Sequence, residues 1–129
     1  MALTADQAVQ LAVEFHDLST SVANARFNNW NSLAPADRSE LEDIQWTLMN
    51  YSSDFATISM TATLASLPNV LQNIKNATQQ ANNALQTIAI FTKIITVASA
   101  AAVLGAAIAS DNPNAIMQSA ASLLTAATT

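Results

Sequence analysis

The sequence predicts an all-α protein, an elongated antiparallel bundle of helices. Apolar residues recur at steps of three and four along nearly the whole chain, which is the spacing of one helix face. No useful length shows the alternation of apolar and polar residues that is typical of strands. One glycine and three prolines in 129 residues leave little material for loops. We therefore expect one domain with four helical segments at about 4–31, 36–65, 68–109 and 113–127.

The first two segments are predicted to form an acidic hairpin over residues 1–67. Thr4 and Gln7 have the spacing of a capping box at the start of the first segment. The apolar stripe of this segment consists of Ala8, Leu11, Phe15, Leu18, Val22 and Ala25. The second stripe consists of Leu41, Ile44, Leu48, Tyr51, Phe55, Ile58, Ala62 and Ala65. Four acids, Asp37, Glu40, Glu42 and Asp43, open the second segment, where negative charge complements the helix dipole.

The third segment is predicted to be one long helix over 68–109. Its stripe jumps five positions between Ala65 and Val70, so we expect a tight turn at 66–69, with a kinked continuous helix as the alternative. A helix of this length spans about 60 Å, whereas the first two span about 40–45 Å each. Its far end would therefore extend beyond a three-helix body. The alternative is a break near Ser99 or Gly105, which would give a compact four-helix bundle.

The last segment returns along that far end and completes an apolar hairpin within residues 68–129. Asn112 is placed to cap this helix, and Pro113 suits its first turn, as Pro35 and Pro68 suit theirs. The helix has no charged side chain, and the stretch 88–109 has only Lys93. A hairpin that is apolar on several faces is expected to be covered by a partner or by lipid. The residues predicted to carry this role are Ile88, Phe91, Ile95, Ala98, Ala102, Gly105, Ala109, Ile116, Leu123 and Leu124.

The residues required for most enzyme sites are missing from the sequence, so we expect a protein that is not an enzyme and has no cofactor or metal. His16 is the single histidine, there is no cysteine, and the single glycine excludes a glycine-rich phosphate loop. Four Lys and Arg residues against nine Asp and Glu residues argue against nucleic-acid binding. No signal peptide is visible, so we expect a cytoplasmic protein or one secreted by a non-classical route.

The aromatic side chains and the amide side chains each have two possible roles. Phe27, Trp30, Trp46 and Tyr51 are expected to pack between the first two helices, or else to form an exposed anchor for a partner or a bilayer interface. The amide-rich stripe within 72–86 is expected to be a solvated face, or to form hydrogen bonds between copies of the chain.

One stretch resembles a known family. The amide-rich helix QNIKNATQQANNALQTIAI leads directly into a hairpin rich in alanine, valine and isoleucine with a polar turn. This arrangement over residues 70–124 resembles the α-helical pore-forming toxins of the cytolysin A and haemolysin BL type, although the chain is far shorter than those toxins. The resemblance implies that 88–109 and 116–124 form a membrane-active hairpin, hidden in the soluble form and inserted in the pore.

Two functional hypotheses follow from the sequence. The first is an oligomerising, membrane-active protein, a pore-forming or toxin-like component that uses the hairpin 88–124. The second is a soluble interaction or structural module, an adaptor or secretion-associated subunit, whose hairpin is buried in a homo-oligomer or against a partner protein.

Overall fold

The computed structural model describes residues 5–57, 68–87, 91–110 and 112–128, and these residues form α-helices without a strand. The helices are α1 (Ala5–Asn28), α2 (Pro35–Thr57), α3 (Pro68–Thr87), α4 (Phe91–Ser110) and α5 (Pro113–Thr128), with a short 3-10 helix (Trp30–Ser32) between α1 and α2. The prediction of an all-α helical bundle is confirmed.

The predicted helix starts are confirmed at three prolines. α2, α3 and α5 begin at Pro35, Pro68 and Pro113. Proline has no N–H, and at the first position of a helix an N–H would have no hydrogen-bond partner within the helix. Asn112 caps α5 as predicted, since its Oδ1 accepts hydrogen bonds from the backbone N–H groups of Asn114 and Ala115 at 3.1 and 3.2 Å. The predicted cap at Thr4, the end of the second segment and most of the turn at 66–69 lie outside the described residues.

Side-chain hydrogen bonds fix how α1 and α2 lie against each other. Ser52, near the end of α2, donates to the carbonyl of Ala12 at 2.6 Å, and Ser19 donates to the carbonyl of Gln45 at 2.9 Å. Later residues of α1 thus meet earlier residues of α2. Both hydroxyls are buried, so these bonds also satisfy polar groups within the interface.

The predicted single helix over 68–109 is wrong, because the chain reverses between α3 and α4. Thr78 of α3 contacts Glu14, and Gly105 of α4 lies against the ring of Phe15. Glu14 and Phe15 are neighbours on α1, whereas one straight helix would separate Thr78 from Gly105 by about 40 Å. Residues 88–90, which connect the two helices in the sequence, lie outside the described residues. The break therefore comes before Ser99, and α4 lies within the bundle rather than beyond it.

The core is continuous across the described helices. α4 packs against α1, α2, α3 and α5, and α3 packs against α1 and α5. The largest fully buried side chains come from every helix: Phe15, Leu18, Leu41, Leu48, Phe55, Ile74, Ile94, Leu104, Ile108, Ile116 and Leu123. The acidic hairpin therefore covers one side of the apolar helices.

Candidate functional site: the outer face of helix α4

Helix α4 turns a stripe of its larger apolar side chains towards the core. This inner stripe consists of Ile94, Val97, Ala98, Ala101, Leu104 and Ile108, all fully buried. The stripe predicted from the sequence ran through Ile95, Ala98, Ala102, Gly105 and Ala109. Ile95 and Ala102 are half-buried and Ala109 is exposed, so that prediction was rotated by about one position. Leu104 and Ile108 bury more apolar area than the alanines beside them, which favours the observed rotation.

At Gly105, α4 lies close to side chains of the first two helices. A Cβ atom at this position would lie 2.5 Å from Cδ2 of Tyr51 and 3.1 Å from Cε1 of Phe15. The Tyr51 ring is stacked on Phe55 at 5.8 Å, and Phe15 meets the Phe55 ring edge-on at 5.1 Å. The single glycine of the chain therefore makes room for an aromatic cluster rather than for a turn.

The side of α4 opposite the inner stripe has half-buried and exposed residues without a charge. We define the outer α4 face by these residues, which are Ile95, Thr96, Ser99, Ala102, Val103, Ala106, Ala109 and Ser110. Ile95 and Ala102, at one edge of this face, also pack against the core. Val103 is 58% exposed, which is high for a valine in a helix of this composition. The single charge of α4, Lys93, is half-buried in its first turn. The face is therefore an uncharged surface of mostly small apolar side chains, with the hydroxyl groups of Thr96, Ser99 and Ser110.

The remaining predicted hairpin residues divide between core and surface. Ile116 and Leu123 are fully buried, whereas Leu124 is 38% exposed. Leu124 lines a groove of about 220 Å³ between α3 and α5, next to Met117 and Asn73. Ile88 and the side chain of Phe91 lie outside the described residues.

The α1–α3 interface contains a carboxylic acid that the sequence did not single out. Glu14 is half-buried beside Thr78 and Lys75. Burial raises the pKa of the Glu14 carboxyl to about 7, against the opposing effects of the Thr78 hydroxyl and the Lys75 ammonium group. Nearby, the Ser21 hydroxyl donates to the amide oxygen of Asn82. Amide side chains of α3 otherwise lie mostly exposed, in agreement with a solvated face.

A second cluster lies where α1 leads into α2. Arg26 is buried and pairs with Glu42 at 3.2 Å, while its guanidinium lies 4.7 Å from the ring centroid of Phe27. Phe27 stacks on Trp30, and Arg38 covers the Trp30 ring at 4.6 Å. Phe27 and Trp30 are nevertheless 59% and 42% exposed, so the packing predicted for them is only partial. The cluster fixes the turn between the two helices.

Metal ligands are not brought together in the part of the chain that the structure describes. There, no three of the His, Asp and Glu side chains form a group that could hold a metal ion. His16 is exposed and lies 4.0 Å from Asp17.

One stretch of α4, Lys93–Ser110, is long and apolar enough to cross a bilayer, the single such stretch among the described helices. Core helices of soluble proteins pass the same test of length and composition, but they are mostly buried. In this stretch 44% of the residues are buried. The outer α4 face accounts for most of the remainder.

Scans against protein-family models, curated proteins and solved structures find no match to this chain. Function therefore has to be inferred from the geometry of the chain itself.

Proposed function

We propose that the protein is an oligomerising, membrane-active helical protein, a pore-forming or toxin-like component, and that the outer α4 face is the surface that meets lipid. One observation carries the proposal: a helix with the length and composition of a membrane span has more than half of its residues unburied. An apolar face without charge is costly in water and favourable against lipid or against a second copy. The role is not enzymatic.

The closed bundle is the water-soluble form in this proposal. Its inner stripe is covered by α1 and α2, and the outer α4 face is available for a first contact with a bilayer. To span the bilayer, α4 must leave the aromatic cluster at Tyr51 and Phe15. For the assembled form we propose the elongated antiparallel bundle that the sequence predicts.

Release of dye from liposomes tests the proposal. The wild-type protein is expected to release an encapsulated dye, and Val103→Asp is expected to abolish release, because a charged aspartate at the centre of a bilayer costs about 2.5–3.5 kcal/mol. Val103 is exposed, so the variant is expected to fold normally. Gln79→Asp, at an exposed site on α3, is the matched control and is expected to leave release unchanged.

A disulfide tests whether α4 must leave the bundle. The chain has no cysteine of its own, so Tyr51→Cys combined with Gly105→Cys places a thiol pair at the contact between α2 and α4. We expect the oxidised variant to release no dye and the reduced variant to regain release. Equal release by both forms would show that α4 does not have to separate from α2.

The second candidate is the soluble interaction module. The continuous core favours it, because the described helices already cover one side of α4 without a membrane. In this case the outer α4 face is buried against a second copy or a partner. A stable oligomer in light scattering, together with no dye release, would select this function over the first.

A further inference from the structure

A groove lies between α1 and α2 on the side of the hairpin that faces away from the core. It has a volume of about 310 Å³ and is lined by Val9, Ala12, Val13 and His16 of α1 and by Met49, Ser52 and Ser53 of α2. Val9 and Val13 are 54% and 50% exposed. We call it the α1–α2 groove.

The apolar surface continues beyond the groove along α2. Trp46 lies one helical turn before Met49, on the same face, and is 58% exposed. Single exposed apolar residues are ordinary on a protein surface, but two valines, an alanine and a methionine line this one groove, and Trp46 is exposed one turn away on α2. Exposed tryptophan is also among the residues that contribute most to protein–protein contacts.

The charge around this patch is negative. Asp17 follows His16, and Asp43 lies one turn before Trp46, both exposed. The described hairpin, residues 5–57, has eight carboxylic acids against two arginines. Both arginines are engaged at the turn: Arg26 is buried with Glu42, and Arg38 lies over Trp30 and donates to the carbonyl of Leu33 at 3.2 Å. No lysine or arginine side chain of the described hairpin is therefore directed at the groove.

We infer that the α1–α2 groove binds a basic amphipathic helix of a partner protein. The apolar side of such a helix would fill the groove against Val13 and Met49, and its lysines or arginines would meet the negative charge of the acidic hairpin around the groove. The inference is independent of the membrane proposal, since the groove belongs to the outward side of the acidic hairpin and the outer α4 face belongs to a different helix.

Charge favours this occupant over a second copy of the chain. A second copy would bring its own acidic hairpin, with a net charge of −5 on the whole molecule, and like charges across an interface oppose association. The same repulsion disfavours an anionic lipid surface at this groove.

A designed peptide tests the inference. The probe is a fluorescein-labelled amphipathic helix of about 18 residues, five helical turns, made of leucine and lysine. Fluorescence anisotropy is expected to show saturable binding to the wild-type protein that weakens as salt is added. A peptide of the same pattern with glutamate in place of lysine is expected to bind at least about tenfold more weakly.

Two lysine variants separate the groove from general acidity. Val13→Lys removes an apolar contact and adds a positive charge at the groove, so the leucine–lysine peptide is expected to bind about tenfold more weakly. Gln118→Lys adds the same charge at an exposed site on α5 and is expected to bind within about twofold of the wild-type protein. Circular dichroism checks that both variants are folded.

Three results would overturn the inference. They are no binding of the leucine–lysine peptide, equal binding of the leucine–glutamate peptide, and equal weakening by Val13→Lys and Gln118→Lys. A wild-type protein that binds the peptide but releases no dye would instead contradict the membrane proposal alone.

Discussion

Single side chains decide how tightly α4 fits the acidic hairpin. Gly105 has no side chain, and the Tyr51 ring occupies the space that a Cβ atom would take. Tyr51 in turn stacks on Phe55, so the ring cannot move without disturbing its neighbour. A glycine in the middle of a helix costs about 1 kcal/mol relative to alanine, and here that cost permits close packing of an aromatic cluster.

Gly105→Ala is therefore expected to destabilise the fold although alanine favours a helix. Overpacking should lower the free energy of unfolding by about 1–3 kcal/mol. In a Tyr51→Ala background the same substitution is expected to be neutral or stabilising, because the two closest contacts of the added Cβ atom, both with the Tyr51 ring, are then removed. Urea denaturation of the four proteins measures the coupling. Stabilisation by Gly105→Ala in both backgrounds would contradict the assigned contact.

Glu14 is expected to make stability depend on pH in the direction opposite to most carboxylic acids. Its pKa is about 7 in the folded protein, against an ordinary value of 4.5, so the folded state binds the extra proton between these values. The contribution of Glu14 to stability is full below about pH 4.5 and is lost as the pH rises towards 7. After allowance for its partial exposure, the loss is about 1–2 kcal/mol.

Glu14→Gln tests this assignment, because glutamine is neutral at every pH and nearly the same size. The variant is expected to be more stable than the wild-type protein at about pH 8 and to lack the decline between about pH 5 and 7. Urea denaturation across this range measures both. Glu40→Gln, at an exposed acid on α2, is the control and should retain the wild-type decline. A wild-type decline that persists in Glu14→Gln would assign the effect to another group.

At the scale of the helices, the sequence predicted where helices begin better than it predicted how they pack against one another. Proline in the first turn and the Asn112 cap act within a few residues, so three helix starts could be predicted from the letters alone. The reversal between α3 and α4 could not, because the stretch around it has neither proline nor glycine and its stripe keeps a helical period. The packing of both α3 and α4 against α1 determines that the chain reverses between them.

The rotation of α4 was missed for a related reason. This helix has apolar residues on all of its faces, so the sequence allows more than one apolar stripe with steps of three and four. The contacts of Gly105 with Tyr51 and of Leu104 with the core select one of them. A single glycine within a helical run is a local signal of close approach, but it does not indicate which neighbour approaches; the structure places Gly105 against Tyr51 and Phe15.

Neighbouring positions on α4 are expected to respond very differently to truncation. Leu104→Ala should lower the free energy of unfolding by about 2–5 kcal/mol, because Leu104 is fully buried. Val103→Ala should change it by less than about 0.5 kcal/mol, because Val103 is exposed. Thermal or urea denaturation compares the two. Similar losses at both positions would show that the outer α4 face is already covered in solution.

At the scale of the whole molecule, acidic and apolar surfaces are separated. The hairpin of α1 and α2 has most of the charge, and α4 and α5 together have Lys93 as their single described charge. One side of α4 is covered by α1, α2, α3 and α5, and the described part of the chain leaves the outer α4 face partly exposed. This asymmetry underlies the proposed membrane activity, and it also gives the α1–α2 groove its separate, acidic character.

An environment-sensitive dye on α4 tests the central claim most directly. Val103→Cys supplies the one thiol of the chain for a nitrobenzoxadiazole label, and Gln79→Cys supplies the control on α3. On addition of liposomes, the label at position 103 is expected to become brighter and blue-shifted as it enters the hydrocarbon region, while the label at position 79 stays in water. Two labels that respond identically, or a label at 103 that stays in water, would contradict the proposed membrane contact.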